Sequence, residues 1–194
     1  HFRKLYPGAV WRMDPNEKAV YLTFDDGPIP EVTPWVLDLL DKHNIKATFF
    51  MVGDNIRKHP DEFRMVVERG HRIGNHTFNH IRGFEYTAKN YLGNTEQAKI
   101  FMEMGGDINC NVEKVLYPLL FRPPHGHMFA NQYLTLKRTY KIVMCDPRLQ
   151  QEAARSASAS QRDALRPQRL HHHLPRFLEI LVQRKPAVRI AARH

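Results

Sequence analysis

Cysteine is nearly missing from this sequence, and long apolar runs are missing altogether. Cys110 and Cys145 are the only two thiols in 194 residues. They make no zinc-ligand spacing and leave the redox compartment open. No run reaches 18 apolar residues, so no segment reads as a membrane-spanning helix. No export-signal pattern is found either. The chain begins at His1 rather than Met, as a trimmed or processed product would, so an upstream signal or anchor stays open. Evenly spread basic charge is also lacking. The net charge is +9, but residues 146–194 hold nine Arg, one Lys and four acids, which is +6 of it. Residues 1–145 carry 19 bases against 16 acids, with Lys and Arg nearly equal. An Arg-rich tail without interleaved aromatics is a poor nucleic-acid surface, and nucleic acid is not expected as a partner. What remains, at 42% hydrophobic, is enough for one domain with a sizeable core.

The stretch that organises the chain is Val20 to Pro28, VYLTFDDGP. Val20, Leu22 and Phe24 alternate with Tyr21 and Thr23, a buried-strand pattern. Two carboxylates, Asp25 and Asp26, follow at once, and Gly27-Pro28 stops the strand. An acidic hairpin turn would look similar. At the carboxyl end of a strand in an α/β fold, however, both acids can reach a crevice, where such folds place their chemistry.

Residues 1–18 read as a polar, aromatic-dotted lead-in. A helix is predicted from Pro30 to about His43, a strand over 46–52, and a helix from Pro60 to Arg69 capped by Gly70. His71 to Asn75 is a third strand, Thr87 to Met104 a long helix, and Val115 to Phe121 a fourth strand. Asn131 to Arg138 is helical and Lys141 to Met144 a fifth strand. Alternation at this spacing means parallel βα units. Polar clusters fall on the loops after strands: Asp25-Asp26, His76 to His80, and Arg122 to Gly126. His43, His59 and His71 lie beside helix ends and loops, where exposure to solvent is expected.

In HTFNH, His76 and His80 are four apart, and on a helical turn they would share a face. Two imidazoles and one carboxylate make a three-ligand set that suits Zn²⁺ or a similar divalent ion and leaves positions open. Either Asp25 or Asp26 can be the ligand; the other then stands beside activated water as a general base.

TFDDGP, HTFNH and RPPHG, in that order, resemble the first three motifs of the polysaccharide deacetylases, carbohydrate esterase family four or the NodB-homology domain. The resemblance covers residues 19–144 and implies a deformed (β/α) barrel, seven-stranded in the family. It implies removal of N-acetyl or O-acetyl groups from a carbohydrate polymer outside the cytoplasm or at the cell envelope. By position, Asp25 matches the catalytic base, Asp26, His76 and His80 the ligands of one divalent metal, and Arg122 the residue orienting the base. The metal implied is Zn²⁺, with Co²⁺ or Ni²⁺ as alternatives. Pro124 and Gly126 match the groove wall. The backbone N–H of His125, where the family usually has Tyr, matches an oxyanion donor.

The last two family motifs are missing. One contains Asp and Trp; the other ends in Leu-x-His or Phe-His-Asp and supplies the general acid. Residues 145–194 run instead into an Ala/Ser/Arg tract and His171-His172-His173. Read one base later, codons for residues 171–178 permit I-I-T-F-H-D-S, and those from Cys145 permit V-T-R-D-Y-S. One offset serves the whole tail and accounts for its Arg-rich, Lys-poor composition. Residues 145–194 are therefore read as an out-of-frame translation of a deacetylase gene. Such a chain is expected to be an incomplete barrel with an unpaired strand edge, without a general acid and nearly inactive. A non-catalytic carbohydrate-binding relative is the alternative function.

Overall fold

The computed structural model describes residues 4–13, 16, 19, 21–105, 116, 118–145 and the backbone of 178–181. Val20, Val115 and nearly all of the predicted out-of-frame tail lie outside the described residues. Five strands run parallel: β1 (Tyr21–Asp25), β2 (Thr48–Met51), β3 (Arg72–Asn75), β4 (Leu120–Phe121) and β5 (Lys141–Ile142). Between and after them lie α1 (Thr33–Lys42), α2 (Gly53–Lys58), α3 (Pro60–Glu68), α4 (Ala88–Met104) and α5 (Ala130–Leu136). The strands neighbour one another in simple chain order, 5-4-3-2-1. That order belongs to a (β/α) barrel rather than to a doubly wound sheet, whose order reverses at a switch point.

Alternation along the strands sorts side chains to two faces. Phe49, Met51 and Ile73 join the main core under the helices, where Phe24 stacks on Phe49 at 4.9 Å. On the opposite face lies the row Asp25, Phe50, Gly74 and Leu120, residues that are register partners across four strands. Both faces of β2 are buried, as expected in a parallel sheet with no solvent side.

Three expectations need correction. The lead-in belongs to the core: Tyr6 is buried, stacks between Trp11 and Tyr133, and donates its hydroxyl to the Met128 carbonyl at 2.7 Å. Val10 bridges Val143, so the lead-in also closes the β5 edge. His71 is fully buried rather than exposed, because its ring turns inward against Phe49. The β1 edge is not left unpaired, since β6 (Leu178–Leu181) lies antiparallel along Tyr21–Phe24. A strand edge offers a row of unpaired N–H and C=O groups that an extended segment can satisfy.

Candidate metal centre

Register delivers the site. Asp25 pairs with Phe50, Met51 with Asn75, and Asn75 with Phe121. The next residues, Asp26, His76 and Arg122, therefore emerge together at the carboxyl ends of β1, β3 and β4. Strict alternation would send Asp25 and Asp26 to opposite faces. Asp26 escapes it with a positive φ of 70°, held by its N–H on the Phe50 carbonyl and by Asn55 Nδ2 donating to its own carbonyl at 2.6 Å.

HTFNH is not a helical turn. His76 continues β3, and Thr77 and His80 both adopt positive φ, at 65° and 54°. Left-handed backbone costs about 1–2 kcal/mol per L-residue, so something must hold the loop. Buried Asn75 accepts from the Thr77 N–H, and Asn94 accepts from those of Phe78 and Asn79. The amides of Gly53 and Asp54, opening α2, donate to the Thr77 and Phe78 carbonyls. Gly53 is required at that contact: a Cβ there would lie 2.6 Å from the Phe78 ring and 2.8 Å from the Ala98 backbone.

The loop brings His76 Nε2 to 3.4 Å and His80 Nε2 to 3.1 Å from Asp26 Oδ1. The three donor atoms lie within 4.8 Å of one another. Tetrahedral ligands at Zn–N and Zn–O distances of about 2.0–2.1 Å stand about 3.3 Å apart, so this spacing fits one small cation. Asp26 Oδ1 is buried without a geometrically sound hydrogen bond. The reason lies in His76, whose Nδ1 sits 2.7 Å from the Arg122 carbonyl. A carbonyl only accepts, so Nδ1 carries a proton and, in the neutral ring, Nε2 turns a lone pair toward the carboxylate. Two acceptors facing each other need a cation between them, and this tautomer is the one a metal-bound histidine takes.

The titration shifts show the same demand for positive charge between these groups, met there by a proton on the imidazole. Burial alone would raise the Asp26 pKa, but attraction to His76 and His80 holds it well below the usual carboxylate range. Burial alone would lower that of His76, yet Asp26, Asp25 and the Arg122 carbonyl together raise it.

Beside the triad, Arg122 is buried and its Nη1 donates to Asp25 Oδ1 at 2.7 Å and to Thr23 Oγ1 at 3.0 Å. Its guanidinium lies 4.1 Å over the Phe50 ring. Phe50 in turn occupies space that Gly74 leaves open, where a Cβ would come within 2.4 Å of it. Pro124 is buried, while His125 and Gly126 carry positive φ of 58° and 72° in a short 3-10 turn over Pro124–Gly126. The His125 ring stands 4.8 Å from that of His80.

All eight site residues expected from the sequence thus lie at these strand ends or on the loops that follow them, Asp25 being the last residue of β1. Thr23, Phe50, Asn55, Asn75 and Asn94 were missed. Thr23 carried a signal, being a polar residue two before Asp25 and so on its face of the strand; the others act through contacts that only folding creates.

The polysaccharide deacetylase family model matches residues 12–142. A peptidoglycan-N-acetylglucosamine deacetylase of Bacillus cereus is 38% identical over 137 residues, which are 70% of this chain and 60% of that protein. Among solved structures, Bacillus subtilis PdaA, a family 4 carbohydrate esterase, superposes with a TM-score of 0.64 at 29% identity. That alignment covers 74% of this chain and 60% of PdaA. A mutant of BA3943, a CE4 family pseudoenzyme with restored enzymatic activity, gives a TM-score of 0.63 at 25% identity, over 75% of this chain and 51% of that one. The chain therefore spans less than two thirds of the length of each. Since the family match runs from residue 12 to residue 142, well over half of the sequence, and takes in all three motifs, the chain belongs to the polysaccharide deacetylase family.

Proposed function

We propose that residues 19–144 form the catalytic unit of a metal-dependent carbohydrate deacetylase, acting on N-acetyl or O-acetyl groups of a peptidoglycan- or chitin-like polymer. The observation that carries this reading is the pairing of a cation-sized donor triad with an Arg-held carboxylate at neighbouring strand ends. Asp26, His76 and His80 hold the divalent ion, Zn²⁺ by the nitrogen and oxygen donors offered, with Co²⁺ or Ni²⁺ as substitutes. Such an ion lowers the pKa of bound water from about 15.7 toward 7 and polarises the acyl oxygen.

Asp25 takes the proton from the attacking water. Arg122 occupies Oδ1 and so fixes the orientation of the carboxylate that receives it. The backbone N–H of His125 donates to the developing oxyanion, an interaction worth about 3–4 kcal/mol per donor in other hydrolases. A main-chain donor tolerates the change from Tyr to His. The relatives' names and the family point to the cell envelope as the place of action.

Acetate release from acetylated chitooligosaccharides by the frame-corrected protein, with and without added Zn²⁺, tests the reading. Asp25→Asn is expected to abolish release while leaving the metal bound; release that survives this change would overturn the assignment of Asp25. The second reading, a carbohydrate-binding relative without turnover, is favoured by one observation: no Phe-His-Asp segment follows Met144, and the Leu-x-His found there, Leu170-His171-His172, belongs to the His171-His172-His173 run of the Arg-rich tail. We attribute that to a shifted reading frame after about residue 144. Resequencing codons 143–147 decides it, and a frame-corrected gene is expected to regain turnover that the literal chain lacks.

A further inference from the structure

None of the roles above uses the aromatic side chains that lead away from the metal centre. Phe84, Tyr86 and Phe129 are 47%, 39% and 46% exposed. The Phe84 ring lies 5.0 Å from Phe129 and 5.6 Å from His127. His127 follows directly on the turn whose His125 ring stands 4.8 Å from His80. The rings of His80 and His125 are thus joined to those of His127, Phe84 and Phe129 through the backbone step from His125 to His127, whose Nδ1 contacts the His125 carbonyl. Phe129 also lines an open groove of about 620 Å³, together with Tyr86, Thr87, Ala88, Ala130 and Asn131.

These rings are exposed but not loosely held. Gln132 is fully buried, and its Nε2 donates to the Gly83 carbonyl at 2.9 Å and the Tyr86 carbonyl at 3.0 Å. Its Oε1 accepts from the Phe129 N–H at 2.8 Å. One side chain therefore locks the 3-10 turn Gly83–Glu85, which carries Phe84, to the start of α5. Gly83 permits the approach, since a Cβ there would meet Met128 Cα at 2.6 Å and Gln132 Oε1 at 2.8 Å. A buried amide spent on two surface segments makes sense if their relative position matters.

We propose that Phe84, Tyr86 and Phe129 are a stacking platform for the sugar rings next to the one being deacetylated. A pyranose offers an apolar C–H face and a rim of hydroxyls. Aromatic faces take the first, and groove-side Tyr86, Thr87 and Asn131 can take the second. Continuity with the metal centre favours a polymer already threaded there. Three rings also cover less than the roughly 800 Å² per partner of a standard protein interface. The proposal rests on the carbohydrate reading of the site and adds that substrate length, beyond the acetylated sugar itself, is recognised here.

The test uses the full chain and a hexamer of β-1,4-linked N-acetylglucosamine. Calorimetric titration is run on the full chain, where binding is read without turnover; acetate release with Zn²⁺ is then compared for hexamer and monomer with the same substitutions in the frame-corrected protein. The double change Phe84→Ala, Phe129→Ala is expected to weaken hexamer binding about tenfold or more. Its acetate release from the monomer should be unchanged, and Phe84→Tyr, which keeps the ring, should bind like the parent. Should the double variant melt early, Phe84→Ala alone decides. Unchanged hexamer affinity, an equal loss for monomer and hexamer, or no hexamer binding by the parent chain overturns the platform. Ring-dependent binding without any acetate release upholds the platform and defeats the deacetylase reading instead.

Discussion

The two ends of β3 each carry a fully buried histidine, and the two behave in opposite ways. His71 precedes the strand; His76 follows it. At His71, Nδ1 accepts the Ala47 N–H at 3.2 Å, so the ring must stay neutral to keep that bond. Burial, with Lys46 and Arg69 nearby and only Asp41 opposing, pushes its pKa down to about 4. At His76, Nδ1 donates instead, and two carboxylates outweigh burial and raise the pKa. One end of the strand ties backbone together; the other confronts an acid that needs a cation. Burial does not say what a histidine does. The atoms facing each ring nitrogen do.

The sharpest way to break the contrast is to exchange each ring for an amide. His76→Gln is expected to remove stoichiometric metal from the dialysed protein, read by elemental analysis, and to lower acetate release by the frame-corrected protein about a thousandfold or more. His71→Gln should leave the metal in place. The next largest effect belongs to Arg122→Met, which strands the largely buried Asp25 carboxylate and is expected to destabilise by about 3–5 kcal/mol in urea unfolding.

Acid titration sharpens the comparison further. With a folded pKa of about 4 against 6.5 unfolded, His71 favours the unfolded state as pH falls, because that state binds the proton first. Its contribution is intact above pH 6.5 and is lost progressively down to about pH 4, by at most about 3 kcal/mol. His71→Gln should flatten that decline, measured as unfolding midpoint against pH. The smallest effect lies between the two ends. Gly74→Ala forces the Phe50 ring to move, with an expected loss of about 1–3 kcal/mol and unchanged metal content.

Much of this was legible in advance, for identifiable reasons. Each parallel strand and its following helix has its own hydrophobic period, so β1, β2, β3, β5, α1, α3, α4 and α5 were recognisable within a few residues. The strand expected over Val115 to Phe121 was too long, since β4 is only Leu120–Phe121 and Leu116 is helical. The six-residue α2 was not, being too short to show a period. Strand-end chemistry marked Asp25, Asp26, His76, His80 and Arg122, but the expected helical turn for HTFNH was wrong in kind. A loop with two left-handed residues leaves no periodic trace; its supports, Asn75, Asn94 and Gly53, come from three other segments. Tyr6 looked like part of a polar lead-in because its partners, Met128 and Tyr133, lie more than 120 positions away.

The amino-acid sequence by itself settled which groups are available: two acids at a strand end, two imidazoles four apart and one fixed cation before a rigid Pro-Pro turn. Local chain stiffness and side-chain chemistry determine such things. Only the tertiary structure decided which acid meets the imidazoles and which the guanidinium. That choice follows from one positive φ at Asp26 and from strand register, and both depend on hydrogen bonds between segments distant in the chain.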